Sequence, residues 1–293
     1  MIYELKNGKF TAQVDSYGAQ LASLKGADGT EYLWVGDPAY WREHAPVLFP
    51  IVGALRENKA KIRGEWVEMN RHGFAKRSEF AVKEQREDTI ALRLTANEAT
   101  RKVYPFDFVL TVAYTLTQEG VTTAFTVENL GKEEMPFVIG GHPGFNIPVG
   151  ENAAFEEYTI QFEEAETQRC PVIEADSCLI NNQECAYELK GEREIPLRHS
   201  LFYNDALVFE NLRSRRVKVL NKATGRGVEM DFSQFPMLGI WSARNDGPYV
   251  CLEPWFGMGD FVDFAGEFSE KRHCQILAPG QAFMFPLRIV IGA

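Results

Sequence analysis

The chain is short of positive charge. Its 31 Lys and Arg stand against 41 Asp and Glu, a formal net charge of −10. The densest basic cluster, Arg213-Ser214-Arg215-Arg216, is too small to neutralise a run of phosphates, which excludes nucleic acid as a partner. An anionic lipid surface would repel such a chain, and no stretch approaches the roughly 20 apolar residues that a helical membrane span needs. The start, Met1-Ile2-Tyr3-Glu4-Leu5-Lys6, lacks the basic head and apolar core of a signal peptide. Together these absences make the cytoplasm the expected location. Cysteine is sparse as well. Cys170, Cys178, Cys185, Cys251 and Cys274 are an odd number with no CxxC spacing, so neither a disulfide framework nor paired zinc thiolates are expected. The sequence has no Walker-type phosphate loop, no G-x-G-x-x-G after a strand and no G-x-S-x-G nucleophile elbow. No metal or cofactor is expected.

Aromatic residues are plentiful: 21 Phe, 10 Tyr and 5 Trp. Such side chains favour pleated, half-buried surfaces, and the dominant pattern is indeed a period of two. It runs through Phe10–Val14, Gln20–Leu24, Glu31–Trp34, Thr89–Leu94, Phe106–Tyr114, Val121–Val127, Arg216–Leu220, Gly227–Phe232, Met237–Trp241, Tyr249–Glu253 and Ala282–Ile291. Gly-, Asn- and Asp-rich turns separate these runs, as hairpins require. Only Asp37–Arg42 and Pro254–Val262 suggest short helical turns, and neither holds a 3.6-residue period for long. Residues 163–198 form the most polar stretch and read as a long excursion from the scaffold. More than ten strands with few short helices predict an all-β protein, one large antiparallel β-sandwich. A single domain over residues 1–293 is expected, because an all-β unit of this length is common.

Five segments interrupt the strand rhythm with polar residues set among apolar ones, and function sits on such interruptions of a rigid scaffold. Trp41 to Arg56 carries two arginines around an apolar Pro-bounded run. Either Arg42 or Arg56 could hold sugar hydroxyls through its fixed N–H fork, or lay its stem on the sheet. Asn70-Arg71-His72-Gly73-Phe74 and Gly140-Gly141-His142-Pro143-Gly144-Phe145-Asn146 each set a histidine beside glycine and phenylalanine. Histidine suits proton exchange near neutral pH, and glycine lets a backbone approach a ligand closely. In Tyr203-Asn204-Asp205-Ala206-Leu207, Asp205 either accepts a hydroxyl proton or starts a turn. Glu253 ends an apolar strand ahead of Pro254-Trp255-Phe256, where partial desolvation raises a carboxylate toward the working range of a general base, or where the carboxylate caps the following turn. The indole of Trp255 beside it could stack on a pyranose face.

Taken in order, these segments resemble the aldose 1-epimerase superfamily, most closely its bacterial, LacX-like (galactose mutarotase-like) branch, across nearly the whole chain. The resemblance implies a galactose mutarotase-like supersandwich and an isomerase that interconverts the α and β anomers of a free aldohexose. It implies Glu253 as general base, His142 as general acid, and His72 as the second histidine, which supports the sugar ring oxygen. Asp205 corresponds to the acidic residue that holds hydroxyls, and Asn146 and Trp255 fall within the matching segments. The chain departs from the pattern at Pro143-Gly144 and at Ala54, where LacX-like proteins often carry arginine. Arg56 is the substitute on the same strand face, and Arg42 follows the hexose-6-phosphate epimerase branch instead. Two other readings stay open: a hexose-6-phosphate 1-epimerase, and a non-catalytic carbohydrate-binding protein of the same fold. The expected partner is a small sugar, and the protein a monomer or homodimer.

Overall fold

The computed structural model describes residues 1–291. Antiparallel strands build it almost entirely, in two main sheets. A nine-stranded sheet runs in the order Ile180–Pro196, Tyr158–Ile173, Arg216–Asn221, Gly227–Asp231, Ala282–Ile291, Gly120–Asn129, Phe108–Leu116, Thr89–Thr95 and Ala81–Gln85. A six-stranded sheet is ordered Leu207–Glu210, Met237–Trp241, Tyr249–Phe256, Ile139–Gly141 and Val47–Leu48, with Gly144–Asn146 also paired to Tyr249–Phe256. Smaller ribbons, among them the hairpin Lys59–Ile62/Glu65–Glu68, close the ends.

The alternation in the sequence is the physical cause of this layering, since successive side chains of a strand point to opposite faces. In Gly120–Asn129 the residues Val121, Thr123, Phe125 and Val127 are buried, and the residues between them are partly exposed. The last strand does the same with Phe285, Leu287, Ile289 and Ile291. These inward rows meet the six-stranded sheet. Phe256 packs on Phe285 with ring centroids 4.6 Å apart, and Phe235 lies within 6.5 Å of both Phe125 and Phe285. Each such aromatic pair adds about 0.5–1.5 kcal/mol beyond its area burial. One continuous hydrophobic cluster extends from Leu5 to Ile291.

Successive glycines show how closely the sheets approach. A Cβ on Gly141 would touch Phe125 and Leu287 of the large sheet, whereas one on Gly140 would collide with the indole of Trp255 on the opposite face. The six-stranded sheet therefore has an inner face on the core and an outer face whose furniture includes Trp255 and, two residues earlier on the same strand, Glu253.

Two details differ from the sequence reading. Pro254–Val262 holds no helical turn, because Pro254, Trp255 and Phe256 continue the strand that began at Tyr249. The α-helix lies at Glu98–Val103, begun by a capping box between Asn97 and Thr100. Asp37–Arg42 is one tight turn in which Trp41 N–H donates to the Asp37 carbonyl at 2.9 Å. The polar excursion is a long hairpin, Tyr158–Ile173 with Ile180–Pro196, at the edge of the large sheet.

Candidate active site

A cavity of about 260 Å³ opens on the outer face of the six-stranded sheet. Its sheet wall carries Glu253 and Trp255 from the central strand, His142 just beyond Ile139–Gly141, and Trp241 from the neighbouring strand. The indole of Trp255 lies flat because the two strands beside it offer glycine. A Cβ on Gly140 would stand 2.4 Å from the ring, and one on Gly239 2.6 Å. Any side chain at either position would push the indole off the sheet.

His142 Nε2 and Glu253 Oε2 are 3.2 Å apart, and both residues are buried. Trp41 covers the imidazole, ring centroids 4.8 Å apart and planes 31° from parallel, while Trp241 meets it edge-on at 5.5 Å. Glycine again makes room: a Cβ on Gly144 would press on Trp34, Trp41 and the Cys251 thiol. Burial holds the Glu253 carboxyl well above its ordinary range, and the charge of Asp205 pushes the same way against Arg71, Trp255 and Lys76. Burial also brings His142 down to about 3, with Lys76 and Arg71 adding to the fall. The physical cause is common, since taking either group out of water penalises its charged form. The Nδ1 of His142 and the Nε1 of Trp255, the latter near enough to Glu253 to lower its carboxyl, make no well-formed hydrogen bond among the described residues, so this wall keeps unused polar capacity.

The opposite wall comes from loops. His72 and Gly73 are consecutive left-handed residues, with φ of 68° and 73°, a backbone that strongly favours glycine at the second place. An ideal Cβ on Gly73 would lie 2.2 Å from the Phe49 carbonyl oxygen. The turn is laced to the 49–53 segment: Phe74 and Ala75 N–H donate to the Phe49 carbonyl and His72 N–H to that of Gly53. Gly53 N–H donates back to His72 Nδ1 at 3.2 Å. Burial, helped by Arg71, His142 and Lys76, lowers His72 well below its usual value, so the ring is neutral. With Nδ1 accepting, its proton belongs on Nε2. Next to it Arg71 grips Asp205 with Nη2 at 3.1 and 3.2 Å from the two carboxylate oxygens, while Nη1 reaches the Cys178 Sγ at 3.2 Å. Asp205 itself has a φ of 85° and accepts from the N–H of Ala206. Lys76 pairs with Glu43 at 2.8 Å, and Ile173, Cys178 and Ile180 close the rim from the turn of the long hairpin.

Of the residues singled out in the sequence, the structure brings Glu253, His142, His72, Asp205 and Trp255 around this one cavity. Three lie elsewhere. Arg42 is exposed outside the cavity lining. Arg56 hydrogen-bonds Asp260 through its backbone and lines a different cavity. It opens a 3-10 turn, Arg56–Asn58, rather than continuing a strand, so the same-face argument for it fails. Asn146 donates to the Glu31 carbonyl at 3.1 Å and serves the sheet's edge. Trp41, Trp241, Arg71, Lys76, Glu43 and Cys178 line the cavity without having been singled out for it. Trp41 packs on His142, far from it in sequence, which leaves no local signal, whereas Arg71 is readable as the neighbour of His72. For a metal, His142, Cys251 and Glu253 offer donor atoms within 4.8 Å of one another. Burial, with Glu253 beside it, holds the Cys251 thiol well above its ordinary value, which disfavours the thiolate a metal takes.

The fold, two stacked antiparallel sheets with a sugar-sized cavity on one outer face, is that of the galactose mutarotase-like β-sandwich proteins. A galactose mutarotase related enzyme from Lactobacillus acidophilus superposes with a TM-score of 0.93 at 32% identity, over 100% of this chain and 98% of that one. A galactose mutarotase-like protein from Lactobacillus casei ATCC 334 gives 0.91 at 28% identity, over 99% of each chain. The plasmid and chromosomal LacX proteins of Lactococcus lactis subsp. lactis are each 36% identical over 277 residues, 92% of this chain and 93% of theirs. The family model for aldose 1-epimerase matches residues 1–289. The chain belongs to the aldose 1-epimerase family, and this membership supports an isomerase of epimerase or mutarotase type. No helix among the described residues is long and apolar enough to cross a membrane.

Proposed function

We propose that the protein interconverts the α and β anomers of a free aldohexose in the 260 Å³ cavity, with Glu253 and His142 as base and acid. The observation that carries this reading is the buried contact of 3.2 Å between the two groups. Glu253 takes the proton of the C1 hydroxyl while the bond from C1 to the ring oxygen breaks, and His142 delivers a proton to that oxygen. The aldehyde rotates about C1–C2, and the same transfers in reverse close the ring as the other anomer. Ring opening turns a carboxylate and an imidazolium into a carboxylic acid and an imidazole. Burial favours the neutral pair of carboxylic acid and imidazole at rest, so the charged pair is the reactive form. Ring opening runs toward the state that desolvation favours, and reclosure restores the charges. His72, neutral with Nε2–H free, donates to the ring oxygen. Asp205, held by Arg71, accepts from hydroxyls, and the apolar face of the pyranose rests on Trp255.

The charge pattern supports an unphosphorylated substrate. Both cations of the cavity are already matched, Arg71 by Asp205 and Lys76 by Glu43. A phosphate would have to displace a carboxylate, whereas phosphate sites ordinarily present uncommitted Arg or Lys. The test follows fresh α-D-glucose and α-D-galactose to anomeric equilibrium by polarimetry or NMR. Wild type should accelerate one or both, and Glu253→Gln should lose on the order of 10²–10⁴ in kcat. An unchanged rate in Glu253→Gln removes that residue from the chemistry. Sugar binding without acceleration by wild type makes the protein a carbohydrate-binding member of the family.

A further inference from the structure

A second, larger cavity, about 410 Å³, lies on the other side of the chain segments that form one edge of the first. The partition is thin. Gly53 and Gly259 line the 260 Å³ cavity, and Leu55, Arg56 and Asp260 line the larger one. The two backbones touch without side chains, since a Cβ on Gly53 would meet Gly259 at 2.8 Å, and Asp260 N–H donates to the Ala54 carbonyl at 2.8 Å.

The chemistry of the two linings differs. In the larger cavity four cations, Arg56, Lys59, Lys61 and Lys271, face two carboxylates, Glu57 and Asp260. Asp260 is fully engaged: it pairs with the buried Lys271 and accepts the backbone N–H of Arg56. Lys61 reaches Glu267 at 3.4 Å, and neither Arg56 nor Lys59 forms an ion pair among the described residues. Arg56, whose Nη1 donates weakly to the Phe264 carbonyl at 3.5 Å, and Lys59 are thus, among the described residues, the two lining cations without a carboxylate partner, set against the single unpaired carboxylate Glu57. On a protein of net charge −10, two such cations at a concavity mark an anion site. Beside them stand flat apolar surfaces. Trp66 is the cross-strand neighbour of Lys61 on the Lys59–Ile62/Glu65–Glu68 hairpin, and its side chain is left 59% exposed. Phe264 lines the same cavity, its ring 5.4 Å from the Lys271 ammonium. Such an indole, largely exposed on the strand beside Lys59–Ile62, offers an open ring face, a common platform for a sugar ring.

We propose that this cavity is a second ligand site, which takes a phosphorylated sugar: the phosphate on Arg56 and Lys59, the apolar face of the pyranose on Trp66. The sizes agree with this division. The smaller cavity, its cations neutralised, suits a bare hexose, and the larger one has room for the added phosphoryl group. The inference rests on the lining of the larger cavity and does not require the first to be catalytic.

Isothermal titration of the full chain with glucose 6-phosphate tests it, with and without saturating galactose, and with glucose and inorganic phosphate as reference ligands. Glucose 6-phosphate should bind in the millimolar range or tighter, more strongly than either reference ligand, and galactose should not displace it. Trp66→Ala and Lys59→Glu should each weaken it about tenfold while leaving the thermal midpoint and the rate of anomer equilibration unchanged. Both residues lie on the partly exposed face of the hairpin, so their replacement spares the core. Displacement by galactose, or binding indifferent to both substitutions, would put the ligand in the smaller cavity and overturn the proposal. Equal affinity for inorganic phosphate would remove the sugar from it, equal affinity for glucose would remove the phosphate, and no binding would end it. Failure of catalysis in the first cavity leaves these binding results readable.

Discussion

The two walls of the smaller cavity are made by different means. The sheet wall places Glu253, Trp255 and Trp241 on strands and His142 at a strand's end, all but Trp241 buried. Their pKa values are set above all by the loss of water. The loop wall places His72 and Asp205 at left-handed residues, with Arg71 directly before His72, and its charged pair keeps contact with solvent: the side chains of Arg71 and Asp205 are 40% and 19% exposed. Strands give positional precision to groups that must exchange protons across about 3 Å, and a ladder of backbone hydrogen bonds resists their displacement. Loops reach around a ligand and can tune fit without disturbing the core. Under the proposed mechanism, proton transfer belongs to the first wall and sugar recognition to the second.

Mutation can break this division. The largest effect expected is His142→Gln, which should lower kcat for anomer equilibration on the order of 10²–10⁴, with KM changed little. Asp205→Asn should act mainly on KM, raising it about 10–100-fold, the worth of a hydrogen bond to a charged group. An equal loss of kcat in that variant would erase the division between the walls. Asp205→Asn also sharpens it through pH. The Asp205 charge helps hold Glu253 high, so its removal should let the base stay ionised to lower pH and move the acid limb of kcat/KM downward. The smallest effect is Cys178→Ala at the hairpin turn, where a change in KM within about threefold marks a thiol that only lines the rim.

Stability reads the sheet wall without any substrate. His142 is brought down from 6.5 to about 3. Its contribution to stability is therefore present above pH 6.5 and is lost as pH falls toward 3. Glu253 has the opposite sign. With its folded value raised above 4.5, its contribution is present below pH 4.5 and is lost as pH rises through the folded value. Glu253→Gln should accordingly have a higher denaturant midpoint than wild type at neutral pH, and the gain should vanish below about pH 4. His142→Gln should flatten the acid side of the stability curve. A midpoint for Glu253→Gln equal to wild type at both pH values would mean that water reaches the carboxylate in the folded protein.

Much of this was legible in the chain. The alternation of Val121, Thr123, Phe125 and Val127 announces a strand without reference to anything distant, because burial on one face of a pleated ribbon is a local, two-residue rhythm. His72 beside Gly73 and Glu253 at the end of an apolar run were visible for similar reasons. Asn97-Glu98-Ala99-Thr100 carries a cap signal for the helix Glu98–Val103, but six residues are too few for a 3.6-residue period to register. Pro254 misled in the other direction. Proline discourages a strand interior because it cannot donate to the ladder, yet the strand that begins at Tyr249 runs through it to Phe256.

The contribution of the long hairpin was not legible. Residues 163–198 are polar, and nothing in their order says that Cys178 meets Arg71, 107 positions away in sequence. Arg42 and Arg56 looked equivalent to the other candidates, but one is exposed and the other faces the second cavity. The sequence by itself determined the β class, the positions of most strands and the acid–base pair as candidates, because hydrophobic period and residue chemistry are local properties. Only the tertiary structure decided which candidates share a cavity. Strand order in the sheets does not follow chain order, so Glu253 and His142, 111 residues apart by their numbers, come within 3.2 Å through pairing that no single segment encodes.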